Sequence, residues 1–273
     1  MTMKQKLAVF TKEKKALLAV NFYNFETLKG LLLAAKATNS SLILQLSESS
    51  LKYLGIEPAI EMARAMLKEF NVEGWVHLDH GSSIEVVKKC LDAGFDSVMI
   101  DASENSFDEN VRITKEVVEI ALAYDANVEA ELGYIAKLNQ SQTVEPTSAE
   151  DAKHFTEATG INALAVAIGN AHGFYKETPK LRLDRLKEIR AVTNCALVLH
   201  GSSGIPDDQL QQSICYGISK INLATETKNI FMKNLQRLLA ESDEIDLRKV
   251  FPKAIDEVQQ LISRKLNVIN FMV

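Results

Sequence analysis

The chain has little of what marks secreted, membrane or nucleic-acid-binding proteins. Three cysteines in 273 residues, Cys90, Cys195 and Cys215, are odd in number and show no CxxC spacing. They form no disulfide framework and read as reduced, packed thiols of a cytosolic protein. No stretch approaches the ~20 apolar residues of a membrane span. Lysines crowd the N-terminus, but the apolar run at 17–20 behind them is too short for the core of a signal peptide. Positive charge is not in excess: 31 Lys and Arg stand against 36 Asp and Glu, a net charge of −5. No global field therefore draws in nucleic acid or an anionic membrane, and an anionic ligand must be held by local groups. Pro- or Ser-rich linkers, low-complexity tracts and short-period repeats are missing too. These absences leave a cytoplasmic, globular protein of one domain spanning residues 1–273.

What the chain does have is alternation. Hydrophobic residues make up 47% of it, ample for a large core. Short apolar or β-branched runs occur at 16–22, 41–46, 75–79, 97–101, 127–131, 163–168, 196–200 and 218–223. Between them lie stretches of helical period, such as the stripe Ile84, Val87, Cys90, Leu91 and the looser one Val111, Val117, Val118, Ala121, Leu122. Eight strands with eight helical partners predict an α/β fold closed as a (β/α)8 TIM barrel, since open doubly wound sheets usually stop sooner. A Lys/Glu-rich stretch at 247–266 predicts a final helix beyond the eighth unit, placed to act as a cap or an oligomer contact.

Histidine is also scarce, and its placement is the strongest functional signal. Of five, His80, His172 and His200 each close an apolar run immediately before a glycine. Three neutral imidazoles from separate elements suit a divalent metal with an open coordination position. In a TIM barrel the C-terminal strand ends form one rim, where chemistry occurs. Polar residues gather at those ends: Asn21, Ser47, Asp79, Asp101, Glu131 and Asn222 join the histidines. Ser47 and Ser82 also fit as helix N-caps. Asp79 reads either as a general acid or base or as a partner orienting a ligand histidine. For it to share a face with His80 the strand must bend, and Gly81 is where a bend is expected. Asp101 and Glu131 could hold a second metal or orient the histidines. His77 reads as a packed, hydrogen-bonded barrel residue and His154 as surface. The turn His200-Gly-Ser-Ser-Gly204 before Pro206 frees backbone N–H groups for an oxyanion, where barrels often bind phosphate.

With these residues in place the chain resembles the class II, metal-dependent ketose-bisphosphate aldolases along almost its whole length. The resemblance is carried by Leu78-Asp-His-Gly81, Ser97-Val-Met-Ile-Asp101, Val128-Glu-Ala-Glu-Leu-Gly133, the run 163–173 and Leu197-Val-Leu-His-Gly201. The spelling Lys220-Ile-Asn-Leu-Ala-Thr-Glu226 is more similar to the tagatose-bisphosphate branch, because the fructose branch usually has aspartate at the position of Ala224. The resemblance implies a catalytic Zn2+ on His80, His172 and His200, and a second divalent or monovalent cation at Asp101 and Glu131. It makes Asp79 the acid/base on the substrate C4 hydroxyl. Gly173, Gly201, Ser202, Ser203, Asn222, Leu223, Ala224 and Thr225 would hold the dihydroxyacetone-phosphate half, with Ser47 facing the aldehyde phosphate. The expected reaction is cleavage of a tagatose or fructose 1,6-bisphosphate by a homodimer or homotetramer. The alternatives are an aldolase for another phosphorylated keto compound, of deoxy-ketogluconate phosphate type, and a weakly catalytic sugar-phosphate-binding paralogue. Three departures stand out. The loop at 134–145 is shorter than the family's and carries Glu145 in place of a Glu-Asp pair, Ser202 replaces a glycine or alanine, and Glu104-Asn-Ser106 replaces His-Leu-Pro.

Overall fold

Eight parallel strands close on one another in chain order in the computed structural model, which describes residues 1–133, 135 and 146–271. They are β1 Leu17–Asn21, β2 Leu42–Ser47, β3 Gly74–Gly81, β4 Ser97–Ile100, β5 Asn127–Leu132, β6 Ala163–Val166, β7 Ala196–Leu199 and β8 Ile218–Leu223. β8 pairs back onto β1, with Leu17 opposite Lys220 and Val20 opposite Leu223. The helices in order are α1 Met3–Glu13, α2 Phe25–Ala37, α3 Glu48–Leu54, α4 Ile56–Phe70, α5 Ile84–Asp92, α6 Phe107–Leu122, α7 Ala149–Thr159, α8 Leu183–Val192, α9 Asp207–Cys215, α10 Thr225–Glu241 and α11 Leu247–Ile269. This is the TIM barrel that the alternation predicts. No described helix is long and apolar enough to cross a membrane.

The period of two along each strand divides the core in two. Outward residues such as Leu18, Val20, Leu42, Leu44, Val76, Leu78 and Val98 pack under the helices. Inward residues Leu17, Ala19, Ile43, Trp75, Ala163, Ala165, Ala196 and Val198 meet Met3 and Leu7 of α1. The small alanines leave volume that Trp75 and the α1 side chains fill, so α1 plugs the N-terminal end of the barrel. Higher up, the interior turns polar: Gln45, His77, Ser97, Asn127, Glu129, Lys220 and His200 are all fully buried. The lower end is thus an apolar seal and the upper end a hydrogen-bonded one.

Caps explain where several helices begin. Asn24, Ser47, Ser83, Ser106 and Ser148 each accept the N–H three residues on, satisfying donors that a helix start leaves unpaired. Ser83 rather than Ser82 caps α5, while the Ser82 N–H goes to the Glu48 carboxylate. The α5 stripe is as expected, with Val87, Cys90 and Leu91 buried. On α6 the stripe is shifted: Asn110, Thr114, Val117 and Ala121 are buried, whereas Leu122 is exposed. Polar Asn110 is drawn in because its amide donates to the Glu131 carbonyl at 3.0 Å.

The last helix runs three residues past its expected end. It buries Val250, Ala254, Ile255, Val258, Leu261, Ile262, Leu266 and Ile269, a stripe of helical spacing, against α2 and α10. Gly30 of α2 makes the approach possible, since a Cβ there would lie 2.7 Å from Val258 Cγ1 and 3.1 Å from the Ile255 carbonyl oxygen. Gly30→Ala is accordingly expected to lower stability by about 1–3 kcal/mol through overpacking, even though alanine is the better helix former. An unchanged urea midpoint in that variant would show that α11 does not sit this tightly.

Candidate active site

Position 80 is where β3 is re-aimed. His80 takes φ +53, a conformation few non-glycine residues adopt, and the β3–β4 register slips between Leu78 and Gly81. Such a bulge turns successive side chains onto one face, and Asp79 and His80 both line the pocket at the C-terminal mouth. The expected bend at Gly81 therefore falls one residue earlier. Gly81 serves a different need: a Cβ there would sit 2.6 Å from the Met99 carbonyl oxygen, so glycine is what lets β3 and β4 close above the bulge.

Three imidazoles converge over the upper end of the barrel. Ring centroids lie 5.0 Å apart for His80 and His172, 4.8 Å for His80 and His200, and 5.7 Å for His172 and His200. Together with Glu131 they offer ligand atoms all within 4.8 Å of one another. The outer ring nitrogens are already committed. His80 Nδ1 is 2.7 Å from Asp101 Oδ2, and His200 Nε2 is 2.9 Å from Glu129 Oε1. A carboxylate only accepts, so both of those nitrogens donate. Neutral imidazoles would then turn two lone pairs toward each other, His80 Nε2 and His200 Nδ1, at 3.1 Å. Only a proton or a cation between them relieves that.

The surrounding charge favours one. Burial works against a charged His80, but Asp79, Asp101 and Glu131 outweigh it and push its pKa up to about 9. Burial, reinforced by the Asp101 charge, raises Glu131 to about 8. Its Oε2 lies 3.6 Å from His200 Nδ1 and has no hydrogen-bond partner among the described residues. An orphaned buried carboxylate oxygen facing converging lone pairs fits a divalent cation. Asp101 stands outside this ligand group: one oxygen holds His80 and the other accepts the Ser103 N–H and hydroxyl.

Asp79 is held differently. It is 3.9 Å from His80 Nε2, beyond a hydrogen bond. Its oxygens accept from the Asn21 amide at 3.0 Å and from the Asn222 amide at 3.4 Å. Burial would raise its pKa, but the charge on His80 foremost, then that of Lys220 and the Asn21 bond, bring it below the usual carboxylate value. It stands as an ionised carboxylate beside the histidine group.

Asn21, Gly173, Gly201, Ser203, Asn222, Ala224 and Thr225 complete the lining. Three other expected substrate-binding residues are engaged elsewhere. Ser47 caps α3, Ser202 donates to the Asn222 carbonyl at 2.6 Å, and the Leu223 side chain packs in the outer core. The small-residue turn after β7 is consequently stapled to β8 through Ser202, leaving Ser203 at the mouth. Glu145 and the loop around it lie outside the described residues. Ordinary periodicity did not single out Tyr175. Its hydroxyl accepts the Ala171 N–H at 2.8 Å and donates to the Gly201 carbonyl at 2.9 Å. It ties together the loops that carry His172 and follow His200. Those loops already touch, since a Cβ on Gly201 would lie 2.1 Å from the Ala171 carbonyl oxygen.

The family described as fructose-bisphosphate aldolase class-II matches residues 1–272. The chain belongs to that family. It is 40% identical over 272 residues to a fructose-bisphosphate aldolase of Geobacillus stearothermophilus, covering 97% of this chain and 95% of the relative. The crystal structure of the YdjI aldolase from Escherichia coli K12 superposes with a TM-score of 0.87 at 30% identity, covering 99% and 97% of the two chains. A putative fructose-1,6-bisphosphate aldolase from Coccidioides immitis superposes with a TM-score of 0.90 at 26% identity, covering 98% and 96%. The class II aldolases are metal-dependent lyases, and the histidine and Glu131 group is suited to that requirement.

Two outcomes are expected of this class II aldolase site. His172→Ala and His200→Ala should each release the bound divalent ion, about one per chain in the parent protein, as measured by elemental analysis after gel filtration. Equal metal in parent and variants would rule the group out as the metal site. Tyr175→Phe keeps the ring packing and deletes both loop bonds. It should raise KM several-fold with a smaller change in stability, and an unaltered KM would show that the two loops are held by other contacts.

Proposed function

We propose that this class II aldolase is zinc-dependent and cleaves a ketose 1,6-bisphosphate, tagatose or fructose, to dihydroxyacetone phosphate and glyceraldehyde 3-phosphate. The observation that carries the reading is the placement of an ionised Asp79 beside, but not bonded to, a histidine group that calls for a cation. A binding protein has no evident need for that pairing. The Ala224 spelling and the curated relative support the two candidate sugars.

The residues divide the work. His80, His172 and His200, with Glu131 in reach, would hold the ion, whose role is that of a Lewis acid toward a substrate carbonyl. Asp79 accepts the proton of the C4 hydroxyl. The C3–C4 bond then breaks, C4 leaves as the aldehyde, and the electron pair becomes the enediolate of dihydroxyacetone phosphate. Asn21 and Asn222 fix the carboxylate, so no reorganisation is needed when it takes the proton. The phosphate on C1 falls to Gly173, Gly201 and Ser203 and to Thr225 at the start of α10. Ala224, at the N-cap of that helix, has no capping side chain, and the Ser203 hydroxyl accepts the Glu226 N–H at 3.2 Å instead, which holds Ser203 at the helix start.

Coupled detection of dihydroxyacetone phosphate from fructose and tagatose 1,6-bisphosphates, with and without added zinc, tests the assignment. Zinc-dependent release from at least one of the two is expected, and release from neither would refute it. Asp79→Ala should keep its metal and lose about 10²-fold or more in kcat. A variant that loses metal affinity while the loaded fraction turns over normally would instead make Asp79 a holder of the histidines.

A further inference from the structure

Beneath the histidines the barrel axis contains charges that never reach the pocket. Lys220 of β8 and Glu129 of β5 are both fully buried, with Lys220 Nζ donating to Glu129 Oε2 at 2.8 Å. Lys220 Nζ also lies 3.3 Å from Nε2 of His77, on β3. An ammonium has donors only, so His77 Nε2 accepts and its Nδ1 carries the proton. That Nδ1 donates to Ser97 Oγ at 2.7 Å, and Ser97 Oγ also accepts the Asn127 amide at 3.0 Å. Lys220 thus donates in two directions, to His77 on one side and to Glu129 on the other, and the second oxygen of Glu129 meets His200 Nε2 at 2.9 Å.

A buried ion pair of this kind does not improve on apolar side chains of similar volume as a source of stability. Its presence on the axis calls for another reason, and the one group it touches on the site side is His200. We propose that Lys220 and Glu129 are positioning residues that lock His200 in its Nε2–H tautomer, so that the Nδ1 lone pair is always turned toward the metal position. This rests on the metal-site reading given above. Lys220 keeps one carboxylate oxygen occupied and fixes the orientation of the group, so that the other oxygen is aimed at His200 Nε2 as an acceptor. Without them the imidazole could rotate or exchange its proton to the wrong nitrogen, and the site would lose one of its ligands for part of the time.

The test uses the Lys220→Met and Glu129→Leu single variants and the double variant. Each single change strands a buried charge and should destabilise the fold. The double change removes both charges and should restore folding toward the parent level. Zinc affinity is read by competition with a chromogenic chelator, and the His200 tautomer by 15N-edited imidazole spectra of the metal-free protein. The parent should show His200 as Nε2–H. The double variant should fold yet bind zinc about 10–100-fold more weakly, with the His200 tautomers mixed. A parent spectrum with the proton on Nδ1 overturns the proposal without any variant. Parent-like zinc affinity and tautomer in the folded double variant overturn this inference alone. Failure of the parent to take up zinc overturns the metal-site reading, and this inference with it.

Discussion

The site depends on two ring nitrogens that face each other and need a proton or a cation between them. His80 Nε2 and His200 Nδ1 stand 3.1 Å apart because the opposite nitrogen of each ring is committed to a carboxylate, Asp101 for one and Glu129 for the other. That arrangement is unfavourable unless positive charge lies between them, and three neighbouring carboxylates deepen the demand. The rest of the mouth follows from it. Glu131 can leave an oxygen unpartnered, Asp79 can remain ionised while buried, and the bulge at His80 is tolerated although such backbone strain typically costs about 1–3 kcal/mol.

Two design features of the barrel make room for so many charged groups. The lower end is closed by α1 and small inward residues, so apolar burial there supplies stability independently of the site. The upper interior is a hydrogen-bonded stack from Asn127 and Ser97 through His77, Lys220 and Glu129 to His200. Near-complete pairing turns polar groups from a liability into a rigid support. The support matters because the candidate metal ligands come from β3, the loop after β6, β5 and the end of β7. No short segment could hold them together by itself.

Much of the architecture was legible in the chain because strand burial repeats every two residues and helix burial every three to four. The strand runs fall within two residues of the observed elements, and the differences have causes. β4 and β7 stop one residue before Asp101 and His200, which leave the ladder to join the histidine group, whereas β6 ends at Val166 and Ile168 beyond it packs in the outer core. Single-position readings fared less evenly. Ser47 and Ser202 have the chemistry of ligand-binding hydroxyls, and in the fold Ser47 also caps α3 while Ser202 also bonds the β8 backbone, a partner that sequence does not show for Ser202. Glu129 has the same identity and period as Glu131 two residues later, so sequence gives no ground for seeing it as a support for His200. Tyr175 stood outside every strand and stripe, and its two loop bonds exist only once β6 and β7 are adjacent.

By itself, the order of residues determined the (β/α)8 barrel, the rim on which polar groups gather, the three strand-end histidines and the membership of Asp79 in their neighbourhood. Those follow from periodicity and from chain ends that any parallel barrel brings to one side. Tertiary structure decided which partner each polar atom received: Asp101 to His80, Glu129 to His200, Asn21 and Asn222 to Asp79, Ser202 to the β8 backbone. The physical reason is range. Burial pattern is a property of neighbours a few positions apart, whereas a hydrogen bond requires atoms within about 3 Å. His200 and His80, 120 positions apart in the chain, reach that distance only when the barrel closes.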